Sequence, residues 1–136
     1  MDGLTIGDVA KWANVRIETL RYYERRGLVA RPRRSVSNYR LYPTDTVQRV
    51  QFIKRAQHLG FSLKEIMELL ALRAEPTAQC ADVRERAVAK IHAIADKIRT
   101  LQAMQNALLQ LVTACAGDNP LTDCPILASL DEEITP

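Results

Sequence analysis

Three cysteines, Cys80, Cys115 and Cys124, are the residues of this 136-residue chain whose types and spacing best suit chemistry. The sequence between the first two predicts one nearly unbroken helix, which separates their sulfurs by about 50 Å at a rise of 1.5 Å per residue. The two cannot meet within one chain. If two such helices pair antiparallel, Cys80 of one chain lies beside Cys115 of the other, with Cys124 just beyond it. The spacing therefore predicts a soft-metal site made by a dimer, because soft cations prefer thiolate ligands.

A heptad pattern supports the helix and its pairing. Spacings of four and three residues from Cys80 give an apolar seam that reaches Cys115 and that only Arg84 and Gln105 interrupt. The remaining seam positions are Ala87, Ile91, Ile94, Ile98, Leu101, Leu108 and Val112. A simpler interpretation makes the cysteines small buried seam residues. It does not account for Cys124, which lies outside the seam.

The length and composition of the chain exclude several classes of protein. A chain of 136 residues has room for one small domain and an extended element, which disfavours a large catalytic core and therefore an enzyme. No apolar run approaches the roughly 20 residues that span a bilayer. Asp2 and Asp8 stand where a signal peptide carries cations, so we expect a cytoplasmic protein without a membrane partner. Three cysteines without a C-x-x-C pair argue against a disulfide framework and leave thiols for a metal.

Charge is divided unevenly along the chain. Residues 1–73 carry 14 Lys and Arg against 7 Asp and Glu, a net charge of +7, whereas residues 74–136 carry 5 against 9, a net charge of −4. This division predicts a nucleic-acid-binding domain at 1–73 and a dimerisation and metal-sensing segment at 74–136. Ordinary solvated surface charge explains the imbalance equally well when charge is considered alone.

Two short helices near the start of the chain predict a helix-turn-helix. Thr5 followed by Asp8 is typical of a helix N-cap, and Gly27 stands where the second helix is expected to end. The second helix carries several basic and polar side chains, namely Arg16, Glu18, Thr19, Arg21, Tyr22, Arg25 and Arg26. Arginine can bind a guanine edge or phosphates, and a tyrosine hydroxyl can donate to a phosphate oxygen. The second helix is therefore expected to read the major groove of DNA.

A small β-hairpin wing is predicted after the second helix. A basic segment at 31–34 precedes a turn at 35–38 and an alternating strand at 39–43. A wing that carries arginine and tyrosine would lie on the phosphate backbone beside the reading helix. The residues expected to contact DNA are Arg21, Tyr23, Tyr39 and Arg40, with Arg16, Arg34 and Lys54 as weaker candidates.

Two further helices are predicted between the wing and the long helix. The first begins at 44–45 and ends at Gly60, and Ser62 with Glu65 forms a capping box at the start of the second. These two helices would link the DNA-binding head to the long helix. Trp12, in the first helix of the chain, is expected to lie in the core.

Four segments together resemble the MerR family of transcription regulators, in the order and at the spacing of that family. They are TIGDVA (5–10), ETLRYYERRGL (18–28), NYRLY (38–42) and LGFSLKEI (59–66). The resemblance covers residues 4 to about 130. It implies a mostly α fold with a winged helix-turn-helix head, linker helices, a long antiparallel dimerisation helix and a short C-terminal metal-binding loop and helix. It also implies a homodimer that binds a palindromic promoter operator, represses without metal, and activates RNA polymerase by distorting the DNA when metal is bound.

The carboxy-terminal end resembles that of the mercury-responsive members of the family. The resemblance implies that Hg(II) is held by Cys115 and Cys124 of one subunit and Cys80 of the partner subunit. Three sulfurs without a nearby histidine suit trigonal Hg(II) or Pb(II) better than tetrahedral Zn(II). Copper(I)-sensing relatives lack a thiol at the position of Cys80. Lead and cadmium sensors share the three-cysteine pattern, so Pb(II), Cd(II) and Zn(II) stay open as alternative effectors.

Overall fold

The computed structural model describes residues 3–32 and 41–132, and most of them are helical. The helices are α1 (Ile6–Ala13), α2 (Ile17–Arg25), α3 (Thr46–His58), α4 (Leu63–Ala74), α5 (Cys80–Ala114) and α6 (Pro125–Leu130), with a 3₁₀ turn at Leu121–Asp123. Two short strands, β1 (Gly3–Leu4) and β2 (Tyr42–Pro43), pair antiparallel. The chain packs as two units, residues 1–90 and 91–136, which are described separately below. No helix in this part of the chain combines the length and the apolar character that crossing a membrane requires.

Capping boxes begin two helices of the first unit, one at the predicted N-cap Thr5 and the other at the predicted box of Ser62 and Glu65. At the start of α1, Asp8 N donates to Thr5 Oγ1 and Thr5 N donates to the Asp8 carboxylate, each at 3.1 Å. At the start of α4, Ser62 N donates to Glu65 Oε1 at 2.8 Å and Glu65 N donates to Ser62 Oγ at 3.2 Å. Each pair satisfies two backbone donors that the first turn of a helix leaves without a partner. The chain therefore has fixed starting points for α1 and α4.

The first unit is built around one apolar core that holds α2 in place. α1 packs against α2 and α3, and α3 packs against α4. The fully buried side chains are Val9, Leu20, Leu28, Tyr42, Val50, Ile53 and Ile66. After α2 the chain turns at Gly27, whose φ of +77° lies in the left-handed region that glycine adopts without strain. The turn returns the chain to the core at Leu28, which anchors the C-terminal end of α2.

Some predictions about this unit were wrong or fall on residues that are not described. Trp12 is 69% exposed, because the buried face of α1 is formed by Val9, Ala10 and Ala13. The third helix begins at Thr46, directly after the predicted start at 44–45, with Asp45 in the N-cap position. Residues 33–40, which include most of the predicted wing, lie outside the described residues. The strand Tyr42–Pro43 pairs with the start of the chain, a pairing that the sequence analysis did not predict.

Helix α5 carries an apolar stripe that one chain leaves uncovered. The helix runs from Cys80 to Ala114, which confirms the long helix, and none of its residues is buried. In the second unit, seam side chains are exposed by 40 to 62%, namely Ile91, Ile94, Ile98, Leu101, Leu108 and Val112. A contiguous exposed apolar surface of this kind marks an interaction site. The seam is therefore available to a partner.

Replacing Ser62 by Ala removes one of the two reciprocal bonds at the start of α4. We expect the free energy of unfolding to fall by about 1 kcal/mol, as for other lost N-caps. Urea denaturation followed by circular dichroism, at one protein concentration, measures the change. Lys64→Ala in the same turn is the matched control, because it leaves the cap intact and alanine favours helix. Equal stability of the two variants would contradict this role of Ser62.

Candidate nucleic-acid interface and metal centre

The exposed face of α2 is basic and aromatic. Arg21, Tyr22 and Arg25 are all exposed on it. The guanidinium carbons of Arg25 and Arg26 lie 5.8 and 6.0 Å from the centroid of the Tyr22 ring, within the range of a cation–π interaction. Arginine and tyrosine side chains are thus presented together on a helix that the core holds rigidly. This surface has the hydrogen-bonding groups that reading a DNA groove requires.

Tyr23 lies on the opposite, buried face of α2. It is 2% exposed, and its hydroxyl donates to Gln57 Oε1 at 2.6 Å. Burial raises the pKa of the Tyr23 phenol. Its position three residues after Leu20 is the sequence signal for the core face. Tyr22 is therefore the exposed tyrosine of this helix, and Tyr23 is a core residue that ties α2 to α3.

One side of α2 borders a basic cleft of about 500 Å³. Arg21, Arg25 and Arg31 line it together with Glu24 and Tyr42. The Tyr42 hydroxyl donates to the Glu24 carboxylate, and Arg31 Nε lies 4.0 Å from the other oxygen of that carboxylate. Three cations thus share the cleft with one carboxylate. A concave surface with an excess of positive charge suits a phosphate group.

A second basic cleft, of about 580 Å³, borders another side of α2 and is lined in part by Asn14, Arg16 and Lys54. Arg16 occupies the N-cap position, but its side chain makes no capping hydrogen bond. Lys54 Nζ donates to the carbonyl oxygen of Asn14 at 2.7 Å, which ties α3 to the turn before α2. Thr19, which lines this cleft, and Arg21, which lines the first, are about 160° apart around α2. The two clefts therefore lie on different flanks of α2, as the two phosphate backbones flank a helix in the major groove.

The predicted DNA contacts divide into three groups. Arg16, Arg21 and Lys54 lie at the two clefts. Tyr23 is buried, as described above. The other three predicted contacts, Arg34, Tyr39 and Arg40, lie outside the described residues and stay predictions. Tyr22 and Arg25, which the sequence already placed on the expected reading helix, are exposed, and Arg31 lines the first cleft, but none of the three was among the residues predicted to contact DNA.

Two of the three cysteines lie together in the second unit. Cys115 follows the last residue of α5, and Cys124 precedes the first residue of α6. The backbone N–H of Leu127 is the largest influence on the pKa of Cys124 and lowers it, followed by burial, which raises it. The N–H of Ile126 and the side chain of Cys115 lower it further, and the net shift is downward. The loop between the two helices therefore brings two sulfurs side by side and favours a thiolate at Cys124.

Cys80 is the first residue of α5 and belongs to the first unit. It is exposed, and all three cysteines are free thiols. It lines an apolar groove of about 780 Å³ between α3, α4 and the start of α5. Among residues 3–32 and 41–132, one chain brings together no group of three His, Cys, Asp or Glu side chains that could hold a metal ion. A site with three sulfurs therefore needs more than the arrangement of a single chain.

Comparison with known families identifies the head. Residues 4–72 match the model described as MerR HTH family regulatory protein, and residues 47–111 match the model described as MerR, DNA binding. The chain belongs to the MerR family. This confirms the resemblance found in the four sequence segments, and with it the mostly α fold with a helix-turn-helix head and a long helix.

Individual relatives of this MerR-family chain span nearly its whole length. The mercuric resistance operon regulatory protein of Serratia marcescens is 40% identical over 100% of this chain and 93% of that protein. The HTH-type transcriptional regulator CueR of Escherichia coli is 39% identical over 93% of each protein. The crystal structure of the transcription regulator PbrR691 from Ralstonia metallidurans CH34 in complex with lead(II) has a TM-score of 0.83 and 35% identity, over 93% of this chain and 98% of that one. These relatives are transcription regulators, which confirms that the chain is a regulator and not an enzyme.

The lowered pKa of Cys124 predicts that its thiolate forms at a lower pH than that of an ordinary cysteine. We expect the pH midpoint of iodoacetamide alkylation at Cys124, resolved by peptide mass spectrometry, to lie below that of an unstructured cysteine peptide. Leu127→Pro removes the main N–H donor and should raise the midpoint. Leu127→Ala, which keeps that N–H, is the matched control. A Leu127→Pro midpoint equal to that of the parent would show that the backbone does not stabilise this thiolate.

Proposed function

We propose that this MerR-family protein is a homodimeric, metal-responsive transcription regulator whose effector is Hg(II). One observation carries the proposal. Cys115 and Cys124 lie side by side at the end of a helix that begins at a third thiol, Cys80, and that exposes an apolar seam along its length. Covering the seam with a second copy supplies the missing third sulfur. The same contact thus completes both the helix packing and the metal site.

The dimer follows from the seam of α5. Apolar side chains along it, such as Ile91, Ile98 and Leu108, are each about 60% exposed in one chain. A second copy carries the same stripe, and a two-fold contact between identical surfaces is self-complementary. Antiparallel pairing sets the start of one α5 beside the end of the other. Each of the two equivalent sites would then take Cys115 and Cys124 from one chain and Cys80 from the partner chain.

The donor set supports a soft metal ion. Thiolates select soft cations such as Hg(II), and hard cations prefer oxygen ligands. Backbone N–H groups lower the pKa of Cys124, which favours the thiolate form that binds metal ions. Overall sequence identity does not discriminate among the candidate metals. A mercuric resistance regulatory protein, CueR and a lead(II)-bound regulator are 40, 39 and 35% identical to this chain. Three sulfurs without a fourth ligand favour the trigonal coordination that suits Hg(II).

Pb(II) is the second candidate effector. The lead(II)-bound regulator with a TM-score of 0.83 is the observation that favours it. The same three sulfurs could also take Cd(II), or Zn(II) with a fourth ligand such as water. Competition titrations monitored by the metal–thiolate absorbance bands rank these ions. Tighter binding of Pb(II) than of Hg(II) would reassign the effector and leave the remainder of the proposal intact.

The head supports operator binding through α2. The helix would enter the major groove with Arg21, Tyr22 and Arg25 toward the bases or the groove edges, and the two basic clefts would receive the flanking phosphates. Arg34, Tyr39 and Arg40, which lie outside the described residues, would add the phosphate contacts that the sequence predicts for them. We infer a palindromic operator, because a two-fold dimer presents two identical heads.

The dimer represses without metal and, with metal, distorts the promoter so that RNA polymerase can use it. We place it in the cytoplasm, where thiols stay reduced.

A mixed dimer tests the shared metal site. A Cys80→Ser chain keeps both loop sulfurs, and a Cys115→Ser, Cys124→Ser chain keeps only Cys80. Neither homodimer has a complete site. A heterodimer of the two chains should regain one three-sulfur site, because each chain supplies what the other lacks. Metal titration of a co-expressed, doubly tagged heterodimer, read by thiolate absorbance, measures this recovery.

The controls for the mixed dimer separate two outcomes. A heterodimer of parent and Cys80→Ser chains should retain one complete site and should match the recovered heterodimer. Tight Hg(II) binding by the Cys80→Ser homodimer, equal to that of the parent, would show that the loop cysteines suffice. In that case the site does not span two chains.

Arginines at the clefts are expected to bind phosphate or bases. Arg16→Ala and Arg21→Ala should each weaken operator binding, and a lost phosphate contact should reduce the slope of log affinity against log salt by about 0.9. Fluorescence anisotropy with labelled operator DNA at several salt concentrations measures both quantities. Arg99→Ala on the exposed surface of α5 is the matched control. Unchanged affinity and slope in both cleft variants would exclude this face of α2 as the DNA interface.

A further inference from the structure

Two ion pairs join α4 to the start of α5. Lys90 Nζ donates to Glu65 Oε1 at 2.7 Å, and Arg86 Nη1 donates to Glu68 Oε2. Glu65 and Glu68 are three residues apart and Arg86 and Lys90 are four apart, so each pair of like charges lies on one helix face. We refer to these four residues as the polar clamp. The clamp connects the last helix of the DNA-binding head to the first three turns of the dimerisation helix.

Lys90 is the most enclosed member of the clamp. Its side chain is 17% exposed, whereas Glu65, Glu68 and Arg86 are each about 40% exposed. Its ammonium group also lies 5.6 Å from the centroid of the Phe61 ring, just before α4 begins. Its hydrogen bond is the largest influence on the pKa of Glu65 and, with that from the Ser62 N–H, holds the value at about 2. Glu65 is therefore ionised at neutral pH and fixed to both the cap of α4 and the side of α5.

An apolar groove adjoins the same junction. The groove, of about 780 Å³, is lined by side chains of α3, α4 and α5, among them Phe52, Leu69 and Val83. Cys80 lines it as well, at the first residue of α5. The two ion pairs beside the groove are polar contacts that join α4 to α5 and help to set the angle between the two helices.

We propose that Glu65, Glu68, Arg86 and Lys90 are positioning residues that transmit metal binding at Cys80 to the DNA-binding head. The inference rests on the proposed function. Arg86 lies six residues after Cys80, about 9 Å along the helix. A metal ion that ties Cys80 to the partner chain would pull on the start of α5, and the clamp would carry that displacement to α4 and the head. Partly exposed ion pairs contribute little to folding stability. We therefore expect the loss of these pairs to change the angle between α4 and α5 more than the free energy of unfolding.

Charge reversal tests the clamp without disturbing a cap. Glu68→Arg places like charges together at Arg86, and Arg86→Glu does the same at Glu68. Each single variant should reduce the Hg(II)-induced distortion of operator DNA about twofold or more. Mutations of residues between two coupled sites change the coupling free energy by this order of magnitude. The double variant restores an ion pair of opposite polarity and should recover most of the response. 2-Aminopurine fluorescence at the operator centre measures the distortion.

Two more measurements on the same samples separate positioning from folding. Hg(II) affinity from thiolate absorbance and operator affinity without metal should stay within about twofold of the parent, because neither ligand touches the clamp. Glu65→Gln, which keeps a capping oxygen but removes the charge, should also reduce the metal response. The matched control is Asp96→Asn with Arg99→Met, which removes an exposed ion pair of α5 away from the junction.

The outcomes distinguish the clamp from the proposed function. If the parent protein neither binds an operator nor responds to Hg(II), the proposed function fails. If the parent responds and the reversed variants respond equally well, the clamp proposal is wrong while the regulator proposal stands. A reduced response that the double variant does not recover would also overturn the clamp, because the effect would then not come from the pairing of these charges.

Discussion

The exposed apolar stripe of α5 is the constraint on which the remainder of the molecule depends. Most helical stability in proteins comes from packing an apolar face, and α5 has no buried residue in the single chain. A second α5 carries the complementary stripe, and an antiparallel pair covers both. Under the proposed dimer, this one hydrophobic contact also determines which cysteines meet. Folding and sensing then depend on the same surface.

The DNA-binding head has a different physical requirement, because it must hold α2 rigidly if the outward arginines of that helix are to be positioned. Capping boxes fix where α1 and α4 begin, and core side chains of α1, α3 and α4 hold α2 by its buried face. The Tyr23 hydroxyl, held by Gln57, and the Glu24 carboxylate, held by Tyr42, connect α2 to α3 and to the strand Tyr42–Pro43. The outward arginines are thus set on a support that binding need not reorganise.

Local sequence signals predicted the helices well because the relevant interactions are local. The Ser62–Glu65 box, the glycine at position 27 and the heptad of α5 each act within a few residues of chain. The expected burial of Trp12 was wrong because residue type was given more weight than helical spacing, which places this side chain outward. The same spacing places Tyr23 inward, where it is 2% exposed, although it was also listed as a DNA contact. The pairing of Gly3–Leu4 with Tyr42–Pro43 could not be predicted, since it joins segments that are distant in the chain and have little pattern of their own. The groove beside Cys80 likewise exists only once α3, α4 and α5 are assembled.

A metal site divided between two chains has a consequence that a site within one loop lacks. An effector shifts an equilibrium only by the difference between its affinities for the two states. Cys115 and Cys124 belong to one loop, and an ion held by them alone would bind equally well whatever the position of the heads. In the proposed site, Cys80 of the partner chain would make the affinity for metal depend on where the start of that α5 lies. Arg86 and Lys90 hold α4 near the same end of α5. Under this proposal, metal binding would therefore depend on the same displacement of α5 that moves the head on DNA.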